Sequence, residues 1–133
     1  MDNKFLGKWT LLAERSEYEA GQPPKSATYE FRDAGNADLG VTIEWADAEG
    51  QEHRIDYRIT VDGKRKSYEN PEIADEVMSE YVGENGLNSS TYKGGKRIMF
   101  AARLIGEDGV MRVSQKMLGP DGREFENVQY YRK

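Results

Sequence analysis

Turn signals constrain this chain more than any other feature. Clusters at Gly21 to Pro24, Asp47 to Gly50, Asp62-Gly63, Gly83 to Gly86, Gly94-Gly95, Asp108-Gly109 and Pro120 to Gly122 punctuate it. They recur roughly every 8 to 14 residues, the rhythm of an all-β sandwich or barrel. Asp-Gly and Gly-Gly supply the positive φ that tight hairpins require. Whatever lies between such turns has to be short and extended.

The intervening segments alternate as half-buried strands do. In HRIDYRITV, His53, Ile55, Tyr57, Ile59 and Val61 share one face, and Arg54, Asp56, Arg58 and Thr60 share the other. Ala27, Tyr29 and Phe31 face together, as do Val41, Ile43 and Trp45, and Met111, Val113, Gln115 and Met117. The pattern predicts strands near 7–14, 26–32, 39–46, 52–61, 64–69, 75–82, 87–93, 96–105, 110–118 and 123–132. One stretch is ambiguous. Asn70 as an N-cap, Pro71 in a first turn, and Ile73, Val77 and Tyr81 at spacing four fit an amphipathic helix better than a strand.

Composition narrows the architecture. Of 133 residues, 37% are apolar and 32% charged, which supports one domain, 1–133, with one thin core lining a curved sheet. A net charge of −5 argues against general nucleic-acid binding and against anionic membrane surfaces. Cysteine is absent and His53 is the only histidine, so no disulfide framework, thiolate nucleophile or histidine-rich metal site can be built. No nucleophile elbow, phosphate-binding glycine loop or dinucleotide fingerprint occurs. The expectation is a protein without cofactor or metal. MDNK carries no apolar h-region and no stretch is long and apolar enough to span a membrane. The expected location is the cytoplasm, although a removed signal peptide would leave no trace.

The two ends of the chain carry a resemblance. FLGKWTLL, with Gly7-x-Trp9, is similar to the first strand of the calycins, the superfamily of lipocalins and fatty-acid-binding proteins, and NVQYYRK resembles the closing strand of the fatty-acid-binding branch. QPPKSATYEF, DAEG, VDGKRKSYENPEIADEV, RLIGEDG and GREFENVQYYRK further resemble a group of small, largely uncharacterised bacterial lipocalin-like proteins. The resemblance implies a strand after Asn70-Pro71, at about 75–82. It implies that Trp9 plugs the closed end of a barrel against an arginine from a late strand, with Arg132 or Arg112 as candidates. Two departures stand out. Only about a dozen residues, Glu14 to Lys25, lie where fatty-acid-binding proteins insert a helical lid. Aligning the ends also puts Gln129 where those proteins carry the arginine of their carboxylate-binding Arg-x-Tyr, with Tyr131 in the tyrosine place.

The informative residues are polar ones on inward faces, because buried polar groups must be satisfied by protein, water or ligand. Gln115 sits among Met111, Val113 and Met117, while Asn127, Gln129 and Tyr131 share a face with Phe125. Arg103 is the arginine best placed by the resemblance. Tyr57 and Trp45, on earlier strands, complete the candidate ligand-binding set.

The resulting expectation is a single antiparallel up-and-down β-barrel of about ten strands, calycin-like, without the helical lid, closed or nearly so. It would bind a small, mainly hydrophobic molecule in its interior rather than catalyse a reaction, as a monomer or homodimer. A neutral polar head would suit the site better than an ionised fatty acid unless Arg103 points inward and restores the charge. A barrel filled by Trp45, Tyr57, Phe100 and Met117, acting through its surface as an interaction or dimerising module, is the alternative. A small isomerase or lyase is a third. An interior cavity of about 300 Å³ or more would favour a ligand.

Overall fold

The computed structural model describes residues 3–19, 21–68, 72, 74–119 and 121–133. Among these residues eleven strands run in order: β1 (Gly7–Leu11), β2 (Glu17–Tyr18), β3 (Ser26–Asp33), β4 (Asp38–Ala46), β5 (Glu52–Thr60), β6 (Lys66–Ser67), β7 (Glu76–Val82), β8 (Gly86–Lys93), β9 (Lys96–Ile105), β10 (Met111–Leu118) and β11 (Glu124–Arg132). They form one sheet in the order β5-β4-β3-β1-β11-β10-β9-β8-β7-β6, with β2 also on β11. Every ladder is antiparallel, and β1 pairs with β11, so the two ends of the chain are joined. This is the expected up-and-down barrel.

The barrel is nearly closed. Its seam, between β5 and β7, is spanned by a bridge of Val61 with Ser79 and by the Gly63 N–H donating to the Ser79 carbonyl at 2.9 Å. The ambiguous stretch resolves as strand. β7 pairs along its whole length with β8, from Glu76 with Tyr92 to Val82 with Gly86. A ladder of cross-strand partners overrides a local helical pattern. Pro71 and Ile73, which carry part of that pattern, lie outside the described residues.

The first strand is shorter than its sequence pattern. It stops at Leu11, a 3-10 turn follows at Ala13–Arg15, and pairing with β11 resumes at β2. That turn and β2 lie between β1 and β3, where the fatty-acid-binding proteins that the sequence resembles insert a lid.

One end of the barrel is tightly packed. Trp9 and Phe5 are almost fully buried, with Phe31 edge-on to Phe5 at 5.9 Å, and the Trp9 indole N–H donates to the Phe5 carbonyl at 2.9 Å. The N-terminal segment crosses this end. Asn3 donates to the Tyr81 hydroxyl, Lys4 to Asn85, and Lys133 to the Lys4 carbonyl. Trp9 therefore sits where the Gly-x-Trp resemblance puts it, but its cation is different. The Lys133 ammonium lies 4.9 Å from the ring centroid. Arg132 pairs with Thr10, and Arg112 with Leu104, both on the outward-facing parity of their strands. Gly7 makes the arrangement possible. Its φ of +120° disfavours any side chain, while a Cβ there would only touch the Lys133 stem, at 3.4 Å.

Candidate functional site

Burial along the inner wall falls steadily from one end of the barrel to the other. On β5 and the residue after it, Val61 and Ile59 are buried, Tyr57 is half-buried, and Ile55 is 44% exposed with His53 beyond it. On β4, Leu39 and Val41 are buried while Ile43 and Trp45 are half-buried. On β10, Met111 and Val113 are buried while Gln115 and Met117 are half-buried. Alternation assigns all these residues to the inside, yet half of them meet solvent. The interior is thus a cup, packed at the Trp9 end and open at the other, with an apolar rim.

A buried arginine sits at the floor of this cup. Arg103 on β9 is 4% exposed. Its Nε donates to the Tyr29 hydroxyl at 2.9 Å, and one terminal nitrogen donates to the Ser89 hydroxyl at 3.2 Å and the Leu87 carbonyl at 3.4 Å. The Tyr57 hydroxyl faces it as well, 3.4 Å from the Tyr29 hydroxyl. The Tyr29 and Phe31 rings lie under the guanidinium at 5.7 and 5.9 Å. Burial works against its charge, but the facing phenol oxygens outweigh it and hold the group above its ordinary value. Burial pushes Tyr57 up as well, so Tyr57 stays a neutral phenol and cannot serve as counter-ion. Among the described residues no carboxylate forms an ion pair with Arg103. A charge so placed is normally paired.

A second polar chain runs along β11. The Gln129 amide N–H donates to the Tyr18 hydroxyl, and the Tyr131 hydroxyl donates to the Gln129 carbonyl oxygen at 2.9 Å. Gln129 spends both ends on tyrosines. Burial raises the Tyr131 phenol well above its ordinary range, and its ring packs edge-on to Tyr29 at 5.6 Å. Register places Gln129, Val113 and Arg103 side by side on three adjacent strands, so Gln129 and Arg103 are roughly 10 Å apart at two strand spacings.

The structure thus brings Arg103, Tyr57, Gln129 and Tyr131 together on the inner wall, with Tyr29 as the linking group that the sequence reading did not single out. The signal was available, since Tyr29 shares its face with Ala27 and Phe31. Gln115 is also inward, its amide 3.2 Å from the Met99 sulfur. Asn127 is inward but committed elsewhere, its side-chain oxygen accepting from the Glu19 N–H at 3.0 Å. Trp45 stands at the rim, stacked on His53 at 5.1 Å, and His53 is bonded to Asp47 at 2.7 Å. Phe100 does not fill the interior. It pairs with Lys116 on the outer parity of β9, under the Arg97 guanidinium at 4.6 Å.

Two hollows of about 460 and 380 Å³ lie on the convex side of β3–β5, lined by charged residues such as Arg32, Asp56 and Arg58, or Glu44, Glu52 and Arg54. They are open surface features, not the enclosed interior cavity that the sequence reading looks for. Among the described residues no three His, Cys, Asp or Glu side chains cluster to hold a metal, and no helix is long and apolar enough to cross a membrane.

Solved structures share this architecture. The wild-type fluorescent protein UnaG is 18% identical, with a TM-score of 0.64 over 100% of this chain and 99% of that one. The zebrafish ileal bile acid-binding protein complexed with cholic acid is 15% identical, with a TM-score of 0.59 over 98% of each chain. The fold is calycin-like. No protein-family model matches the sequence, and no curated protein does.

Proposed function

We infer that this barrel is a non-enzymatic binder of a small, mainly apolar molecule with an anionic head, held in the interior cup. The observation that carries the reading is Arg103: a buried, charged guanidinium bonded to the Tyr29 phenol, a serine and a carbonyl and, among the described residues, to no carboxylate. The apolar rim formed by residues such as Ile43, Ile55 and Met117 would take the body of the ligand, at about 25 cal/mol per Å² of apolar area removed from water. An anion reaching Arg103 would gain a charge-assisted bond and remove the cost of the unpaired charge. With Arg103 turned inward, an ionised head is preferred over the neutral head that Gln129 alone would suit. The cholic acid complex of the zebrafish protein offers a ligand of this general chemistry on the same fold. At that identity the likeness speaks for the fold, and the chemistry rests on Arg103.

Titration with anilinonaphthalene sulfonate, an apolar fluorescent anion, tests this. Saturable uptake is expected, displaced by cholate and weakened about tenfold in Arg103→Gln, a loss of one charge-assisted bond. Absence of saturable uptake would contradict an open apolar interior.

A further inference from the structure

We propose that the outer face of β7–β10 is a self-complementary docking surface for a second copy of this chain. Strand β9 is apolar on both sides: Met99, Ala101 and Ile105 flank Arg103 inside, while Ile98, Phe100, Ala102 and Leu104 face out. A strand exposed to water on one side carries polar residues there, and one apolar on both sides is covered on both. Leu104 and its outer neighbour Val82, two strands away, are each 55% exposed. Between them stands Gly86, buried and lacking a side chain, where a Cβ would lie 2.7 Å from the Val82 carbonyl. Val82 closes over this glycine from one side, its own Cβ only 3.1 Å from that position, so the two apolar side chains stand on either side of a filled, flat stretch of sheet.

Strand register and charge say what covers the face. A two-fold axis parallel to the strands, between β8 and β9, lays β9 of one copy on β8 of the other at the same level. Leu104 then comes opposite Gly86 and packs beside Val82 of the other copy, and Phe100 comes opposite Ser90, reciprocally. The same operation lays β7 on β10. Glu80 on the β7 edge comes opposite Ser114, flanked by Arg112 and Lys116, because Glu80, Asn88, Ala102 and Ser114 are in register. Glu80, Arg112 and Lys116 make no ion pair among the described residues. An acidic edge, a largely apolar middle in which Arg97 lies over Phe100, and a basic edge suit a two-fold contact, and the convex surface restricts burial to these few strands.

Sedimentation velocity over a concentration series tests the pairing, using the full chain and charge-swapped variants whose folding is checked by circular dichroism. The wild type is expected to move from one chain mass to two as concentration rises. Glu80→Lys, and separately Arg112→Glu with Lys116→Glu, should each raise the dimer dissociation constant by about tenfold or more through like-charge contact. Mixing the two variants should restore dimer, because in the mixed pair both contacts are again opposite in sign. A wild type that stays monomeric throughout would overturn the proposal and leave the face to a different protein. Dimerisation indifferent to the swaps, or no recovery on mixing, would place the interface elsewhere and overturn it equally.

Discussion

The Arg103 Nε–H donates to the Tyr29 hydroxyl at 2.9 Å, linking β9 to β3 across the barrel interior, and both side chains are buried. Two strands far apart in sequence are joined by a charged group whose acceptors among the described residues are all neutral. The contact is stronger than an ordinary phenol hydrogen bond because the donor is ionised. It still leaves a net positive charge in a low-dielectric interior, and that imbalance underlies the functional reading.

The first prediction concerns what that charge does to stability. Replacing a whole buried ionic group by apolar residues of similar volume is often neutral or stabilising, provided no opposite charge is left behind. Among the described residues Arg103 pairs with none. Arg103→Met should therefore leave the ligand-free protein within about 1 kcal/mol of wild type, or more stable. Urea denaturation without ligand checks this. A loss of several kcal/mol would make Arg103 a structural post.

Trp9→Ala should be costly, by about 3–5 kcal/mol, as for other buried aromatics cut to alanine. Lys133→Met, which removes the cation over the ring, should cost no more than about 1 kcal/mol, the scale of an exposed cation–π contact. The same denaturation series measures both. Equal losses would mean that the lysine, rather than indole burial, holds the closed end.

Gln129 and Tyr131 should behave as a coupled pair. Gln129→Leu strips the buried Tyr131 hydroxyl of its acceptor, at about 1–3 kcal/mol, while Tyr131→Phe removes the hydroxyl itself and should cost less. In a double-mutant cycle the combined variant should be more stable than the sum of single losses implies. Simple additivity would show that the hydrogen bond contributes nothing.

Alkaline pH should unfold the protein through its buried phenols. Tyr57 and Tyr131 are raised by burial, so the folded state holds their protons more tightly than the unfolded chain. Their contribution is fully present below about pH 10, the unfolded tyrosine value, and declines above it as the unfolded state alone ionises. Tyrosinate absorbance should rise in two stages, with the later one coinciding with loss of structure. Titration of all tyrosines before unfolding would contradict the burial of these two.

Much of this architecture was legible because turn residues and alternation agree. Asp62-Gly63 and Gly94-Gly95 mark turns, and Tyr57, Ile59 and Val61 line the interior as their period requires. The failures have physical causes. Phe100 lies in MFAARLI, apolar on both faces, so alternation could not say which side is in. His53 and Ile55 obey the inward period yet reach water, because the barrel opens at their end, and openness is not a property of one strand. The cation over Trp9 comes from Lys133, the last residue, carried there by the wrap of the N-terminal segment rather than by strand register. Arg103 was legible as a candidate, but that no carboxylate pairs with it among the described residues needed the packing of three other strands to be seen.

The central claim is that the interior receives an anionic head at Arg103, and a paired titration tests it most directly. Calorimetry would compare a long-chain carboxylate with the alcohol of the same chain, in wild type and in Arg103→Gln. The account predicts that wild type prefers the carboxylate by about tenfold or more, the worth of one charge-assisted bond, and that Arg103→Gln loses this preference while still taking up the alcohol. Equal binding of the two by wild type, or an undiminished preference in Arg103→Gln, would contradict it.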